Sequence, residues 1–211
     1  MRNVGKVLAV AALALLGAQA AEAQVTAKFV TIPDNQNGDP APAHSVLDGP
    51  GFCTTTLGSN TTGFSIDFSD LSQRQTLAAA CPGTSEANFA HNFAVRFSGS
   101  LFTGVAANDY HIFLNTDDGN SLFINGILVS DNWHEQGNGP GDLTNVALNA
   151  GDNPFGIDYY ENDFGGAYAT LLLRDQRLVV VPVTPTPEPA SFALLATGLV
   201  GVFGAARRRK R

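Results

Sequence analysis

Leu122-Phe123-Ile124-Asn125-Gly126-Ile127-Leu128-Val129 is the stretch that decides the fold. Two runs of β-branched, aromatic and other apolar side chains flank Asn-Gly. A two-residue connection between strands needs positive φ at both central positions, which asparagine and glycine tolerate best. The stretch is therefore a tight β-hairpin. Outward from it the same pattern repeats: residues 93–97, 110–114, 155–160 and 167–173 are short apolar or alternating runs, separated by Gly, Asn, Asp and Pro. Helical periodicity is nearly absent between Gln24 and Val181, and the one short helix expected lies around residues 70–80. Several short strands at this spacing predict an all-β, antiparallel sandwich or barrel over residues 24–181. Residues 34–62, rich in Pro, Gly, Ser, Thr and Asn, read as long loops with an occasional edge strand.

The two ends follow different rules. Arg2 and Lys6 precede an apolar run from Val7 to Gly17, and Ala21-Glu22-Ala23 places small residues where a signal peptidase reads them. Residues 1–23 are therefore expected to be a signal peptide cleaved before Gln24, with Ala18-Gln19-Ala20 as a second site. The apolar run is too short for an anchor, since a spanning helix needs roughly 20 residues. At the other end, residues 182–189 form a proline-rich, extended linker. Residues 190–206 carry no charge and predict a transmembrane helix of about 25 Å. Arg207-Arg208-Arg209-Lys210-Arg211 stops transfer and stays on the cytoplasmic side of the inner membrane.

That order of parts, with Pro187-Glu188-Pro189 ahead of a short apolar segment and terminal arginines, resembles the PEP-CTERM sorting signal of Gram-negative bacteria. The resemblance implies recognition by an exosortase, cleavage near the tripeptide, and delivery of the body to the cell surface or exopolysaccharide matrix. A plain single-pass anchor is the other reading of the same tail.

Between the two processing sites, residues 24–189 hold five basic against 18 acidic residues, a net charge of −13. Such a surface repels nucleic-acid phosphates and favours cations and solubility. Cys53 and Cys81 are the only cysteines, an even number in an exported chain, and are expected to form a disulfide.

From Phe93 to Asp175 the features come in a specific order. Asn115-Thr116-Asp117-Asp118-Gly119-Asn120 leads into the hairpin, Ser130-Asp131-Asn132-Trp133 follows it, and Ile157-Asp158-Tyr159-Tyr160-Glu161-Asn162 comes later. This order resembles the protective-antigen (PA-14) domain family, whose members are β-sandwiches or barrels with an Asp-Asp-Gly turn before a hairpin. In the carbohydrate-binding members the paired aspartates are joined by a cis peptide and hold calcium, which bridges to sugar hydroxyls. The resemblance thus implies Asp117, Asp118 and Asn162 as Ca2+ ligands, with an extracellular glycan as partner. Oxygen ligands of this kind suit calcium, and Glu161 and Asp163 lie in the same loop. Two readings of Asp117-Asp118-Gly119 stand, a plain turn and a cation site. Trp133, the only tryptophan, is expected in the core rather than stacked on a sugar.

No Gly-x-Ser-x-Gly, His-Glu-x-x-His or phosphate-cradling glycine loop is present, and the four histidines lack metal spacing. These features predict a non-enzymatic, exported glycan- or ligand-binding module. A structural biofilm or matrix protein is the alternative, and a carbohydrate-active enzyme the third reading.

Overall fold

The hairpin forms as its sequence requires. Strands β6 (Asn120–Ile124) and β7 (Ile127–Asn132) pair antiparallel with Ile124 opposite Ile127. Asn125 and Gly126 between them have φ of 55° and 75°. The computed structural model describes residues 24–33, 41–59, 62–137, 139–162 and 167–181. The signal peptide, linker, apolar segment and basic tail expected from the sequence lie outside these residues. Among the described residues no helix is long and apolar enough to cross a membrane.

Two antiparallel sheets make up the body. In the first, β2 (Cys53–Gly58), β1 (Gln24–Thr31), β4 (Phe93–Thr103), β9 (Gly151–Glu161), β6 and β7 lie side by side in that order. The last strand, β11 (Leu178–Val181), also pairs with β4. In the second, β3 (Gly63–Asp67), β10 (Tyr168–Leu173), β5 (Ala107–Asp117) and β8 (Gly139–Leu148) follow one another. Alternate residues of each strand face the partner sheet. Phe93, Val95 and Phe97 of β4 and Phe155, Ile157 and Tyr159 of β9 pack against Tyr110, Ile112 and Leu114 of β5 and Ala169, Leu171 and Leu173 of β10.

Helix α1 (Leu71–Ala80) starts where the sequence places it. Asp70 caps it by accepting from the Ser72 and Gln73 amides. Cys81 ends the helix and is bonded to Cys53 at the start of β2, so the expected disulfide is present. It joins the helix to an edge strand that emerges from the predicted loop region.

A second, smaller cluster lies on the outer face of the first sheet. Val30, Ile32, Leu47, Ala94 and Tyr160 are buried there, with Trp133, Val46 and Ala41 packed against them. A 3-10 turn at His44–Asp48 straps this face. Lys28 Nζ donates to the Leu47 carbonyl at 2.8 Å, and Trp133 Nε1 donates to the Pro42 carbonyl at 2.5 Å.

The described body begins and ends close together. β9 pairs with β4 along the whole of its length, so β1 and β11 share the opposite side of β4. Thr26 pairs with Ser98 and Val181 with Ser100, so the exit of β11 and the entry of β1 are two residues apart, about 7 Å along β4. The other end of β4, at Phe93, lies opposite Glu161.

Candidate functional site

The acidic turn sits at that other end. β5 carries the chain to Asp117, the Asp117–Asp118 peptide is cis, and Gly119 leads into β6. The cis linkage is the geometry the family resemblance implies. A Cβ on Gly119 would fall 2.3 Å from Tyr160 Cε1 and 2.9 Å from the His134 amide nitrogen and carbonyl oxygen, so only glycine fits.

Main-chain and side-chain groups are both held. The Asp117 carbonyl accepts from the Tyr159 hydroxyl at 2.6 Å, and that hydroxyl lies 3.0 Å from Glu161 Oε2. The Asp118 carbonyl accepts from Thr116 Oγ1 at 2.7 Å and from Gln136 Nε2 at 3.3 Å. Asp118 Oδ2 accepts from the Asn162 amide at 3.0 Å, which brings two of the three expected ligand residues together. Asp117, half-buried, adjoins Asp118 through the peptide bond.

Burial makes these groups chemically demanding. Asp118 and Asn162 are each 4% exposed and Glu161 1%. Among the described residues, Asn162 Oδ1 is buried and accepts no hydrogen bond, nor does the Tyr160 hydroxyl receive or give one. Burial first, then the Glu161 and Asp118 charges and the hydrogen bond to Glu161, push the Tyr159 phenol well above its ordinary range. Burial and the negative charges of Asp118, Glu135 and Glu161 do the same to Tyr160. The local field is thus negative, and the donors that face it are oxygens.

This donor set suits a hard cation. A buried amide oxygen with no partner, on a residue whose main chain meets a buried carboxylate, is the kind of vacancy in hydrogen bonding that calcium ligation fills. Among the described residues no three His, Cys, Asp or Glu side chains are grouped to hold a metal. The residues that the family resemblance implies for a cation at the turn are the two aspartates and Asn162. Asp163 lies outside the described residues.

Trp133 belongs to the outer-face cluster instead of the main core. It stands edge-on to Tyr160 with ring centres 4.8 Å apart and stacks on His44 at 4.1 Å, and the contacts leave it half-buried. Beneath the strap, Asp158 is 1% exposed and receives Arg96 Nε and Nη2 at 2.6 and 2.8 Å. Its hydrogen bonds, chiefly the one to Asp158, raise the Arg96 guanidinium further above its already high value.

Sequence reasoning missed Thr116, Asn120, Gln136 and Tyr159 as supports of the turn. Strand phase carried the signal for two of them. Thr116 follows Tyr110, Ile112 and Leu114 in the inward register, and Asn120 precedes Leu122 and Ile124 in theirs. A polar residue in a core phase marks a buried hydrogen-bonding task.

Residues 185–210 match the PEP-CTERM protein-sorting motif. No curated protein matches the chain in sequence. Among solved structures, the PA14 domain of the MpAFP antifreeze protein is similar over 78% of this chain and 94% of its own, at 14% identity and a TM-score of 0.51. The PA14 sugar-binding domain from an RTX adhesin matches over 72% and 88%, at 18% identity and 0.46. An anti-sigma factor domain-containing protein from Clostridium clariflavum matches over 75% of this chain at 16% identity and 0.45, and this chain spans 44% of that protein. The chain thus ends in a PEP-CTERM protein-sorting motif, and the body ahead of it has a fold similar to that of PA14 domains.

Proposed function

We propose that this protein is an exported, non-enzymatic module that binds extracellular glycan through calcium held at the Asp117–Asp118 turn. The sorting motif implies a secreted, exosortase-processed surface protein. Within the body, one observation carries the reading: the Asn162 main-chain amide donates to the buried Asp118 carboxylate, and the buried amide oxygen of the same residue has no hydrogen-bond partner among the described residues. Calcium accepts oxygen ligands of both kinds and retains open positions. Vicinal sugar hydroxyls fill such positions with two further oxygens. The protein would act by presentation, with the sandwich fixing the ligands and the ion joining them to the glycan.

Calcium titration of the exported protein tests this directly. The melting temperature should rise with millimolar calcium, and binding on a glycan array should vanish in chelator. A melting curve that calcium leaves unmoved reduces the turn to a structural element and leaves a structural matrix protein as the reading.

A further inference from the structure

Behind the acidic turn, buried polar side chains hold its main chain. Asn120 is 0% exposed, and its Nδ2 lies 2.6 Å from Thr116 Oγ1 and 3.1 Å from the Gly139 carbonyl. A carbonyl only accepts, so the amide nitrogen and not its oxygen must face Gly139. Both amide protons are then committed, one to Gly139 and one to Thr116. The Thr116 hydroxyl receives a proton from Asn120 and has one of its own to give. Two carbonyls stand near, Asp118 at 2.7 Å and Gly139 at 3.4 Å, and the proton goes to Asp118.

The cost of this arrangement is visible in Asn120 itself. Its Oδ1 is buried with no hydrogen-bond partner among the described residues, in a register where Leu122 and Ile124 are plain core. A leucine there would leave no unmet acceptor, so the asparagine is explained by what its amide orders. Gln136, half-buried, adds the second donor to the Asp118 carbonyl.

We propose that Thr116, Asn120 and Gln136 are positioning residues for cation binding: Asn120 orients the Thr116 hydroxyl, and Thr116 and Gln136 together clamp the Asp118 main chain so that its carboxylate is set before the ion arrives. The inference rests on the reading of this turn as a calcium site. Fixing a ligand in advance removes the ordering cost from the binding step, so loss of the clamp appears in affinity.

The test compares wild type, Thr116→Val and Thr116→Ser as exported proteins, by calorimetric calcium titration and by amide hydrogen exchange of residues 117–121 in chelator. Valine keeps the shape and removes the donor, so calcium Kd should rise about tenfold, as for other groups that orient a metal ligand. Exchange in chelator should quicken in the same variant, and serine should restore both. A lower melting temperature with calcium Kd unchanged in Thr116→Val gives the hydroxyl a merely structural role and overturns the proposal. If the valine variant does not fold, Gln136→Ala removes the other donor from a more accessible position. Its Kd should rise severalfold, and an unchanged Kd overturns the clamp. A wild type that binds no calcium overturns the calcium reading along with the clamp, whereas tight wild-type binding unaffected by the variants overturns the clamp alone.

Discussion

Asp118 carries most of the turn's chemistry in one side chain. A ligand that binds only the folded state stabilises it by about RT ln(1 + [Ca2+]/Kd), roughly 2.7 kcal/mol at a hundredfold excess over Kd. Asp118→Ala should abolish that calcium-dependent gain in a thermal melt while the chelated protein still folds, because the main chain keeps its Thr116 and Tyr159 hydrogen bonds. Equal calcium-induced shifts in variant and wild type would move the ion elsewhere. Tyr159 and Tyr160 set the alkaline limit. Their folded-state pKa values are raised, so the stability they confer is complete below the unfolded tyrosine value of about 10 and is lost as pH climbs above it. The Tyr160 hydroxyl has no hydrogen-bond partner among the described residues, so Tyr160→Phe should be near neutral at pH 7. Urea unfolding at pH 8 and pH 11 should show a smaller alkaline loss in this variant, by up to about 1 kcal/mol per pH unit. Parallel losses in both proteins would count against the tyrosine as the titrating group.

Between elements, Arg96 does more than a surface cation would. It joins β4 to β9 through Asp158 and reaches the strap through Asp48 at 3.0 Å. Arg96→Met would leave the Asp158 carboxylate buried without its guanidinium. Breaking a buried pair costs about 3–5 kcal/mol, and the partial exposure of Arg96 lowers the expectation to about 2–3 kcal/mol. Arg96→Met with Asp158→Leu should recover much of the loss, a coupling that a double-mutant cycle measures; purely additive losses would show no pairing. The elements also show what a sequence discloses. The Asn-Gly hairpin, the helix with its Asp70 cap and the central strands were legible because local chemistry alone determines them. Strand β8 was not: Gly139-Pro140-Gly141-Asp142 has no alternation, and its pairing with β5 carries register shifts. Strands β3 and β11, of five and four residues, are too short to show a period. β1 alternates clearly, with Val25, Ala27 and Phe29 inward, but its pattern begins at the expected cleavage point, where no turn residue marks the start of a strand. At the site, the ligand candidates were legible through a motif. Their supports come from residues 116, 120, 136 and 159, whose proximity arises only when the sheets assemble.

Across the molecule, the disulfide is the one covalent link between distant segments. It closes a loop of 28 residues that holds α1 and joins the helix to the edge strand β2. By the loop-entropy relation its loss costs about 3–4 kcal/mol. Cys53→Ser should therefore lower the melting temperature by roughly 10 °C, and wild type should show no titratable thiol until reduced. Two free thiols in the native exported protein would remove this support. The charge of −13 on residues 24–189 acts at the same scale, keeping copies apart and concentrating cations near the surface.

The neighbouring ends of the body have a further consequence. Gln24 and Val181 leave from one patch on β4, while the acidic turn is level with Glu161, seven residues or about 24 Å along that strand. Topologically the described body is nearly a closed ring that opens between Gln24 and Val181. Joining Val181 to Gln24 with a few glycines and reopening the chain between Asn125 and Gly126, at the exposed hairpin tip, should give a circular permutant with the same sheets. Its circular dichroism spectrum and cooperative melt should match those of the parent. A permutant without a cooperative transition would mean that the native order of strands is itself needed for folding.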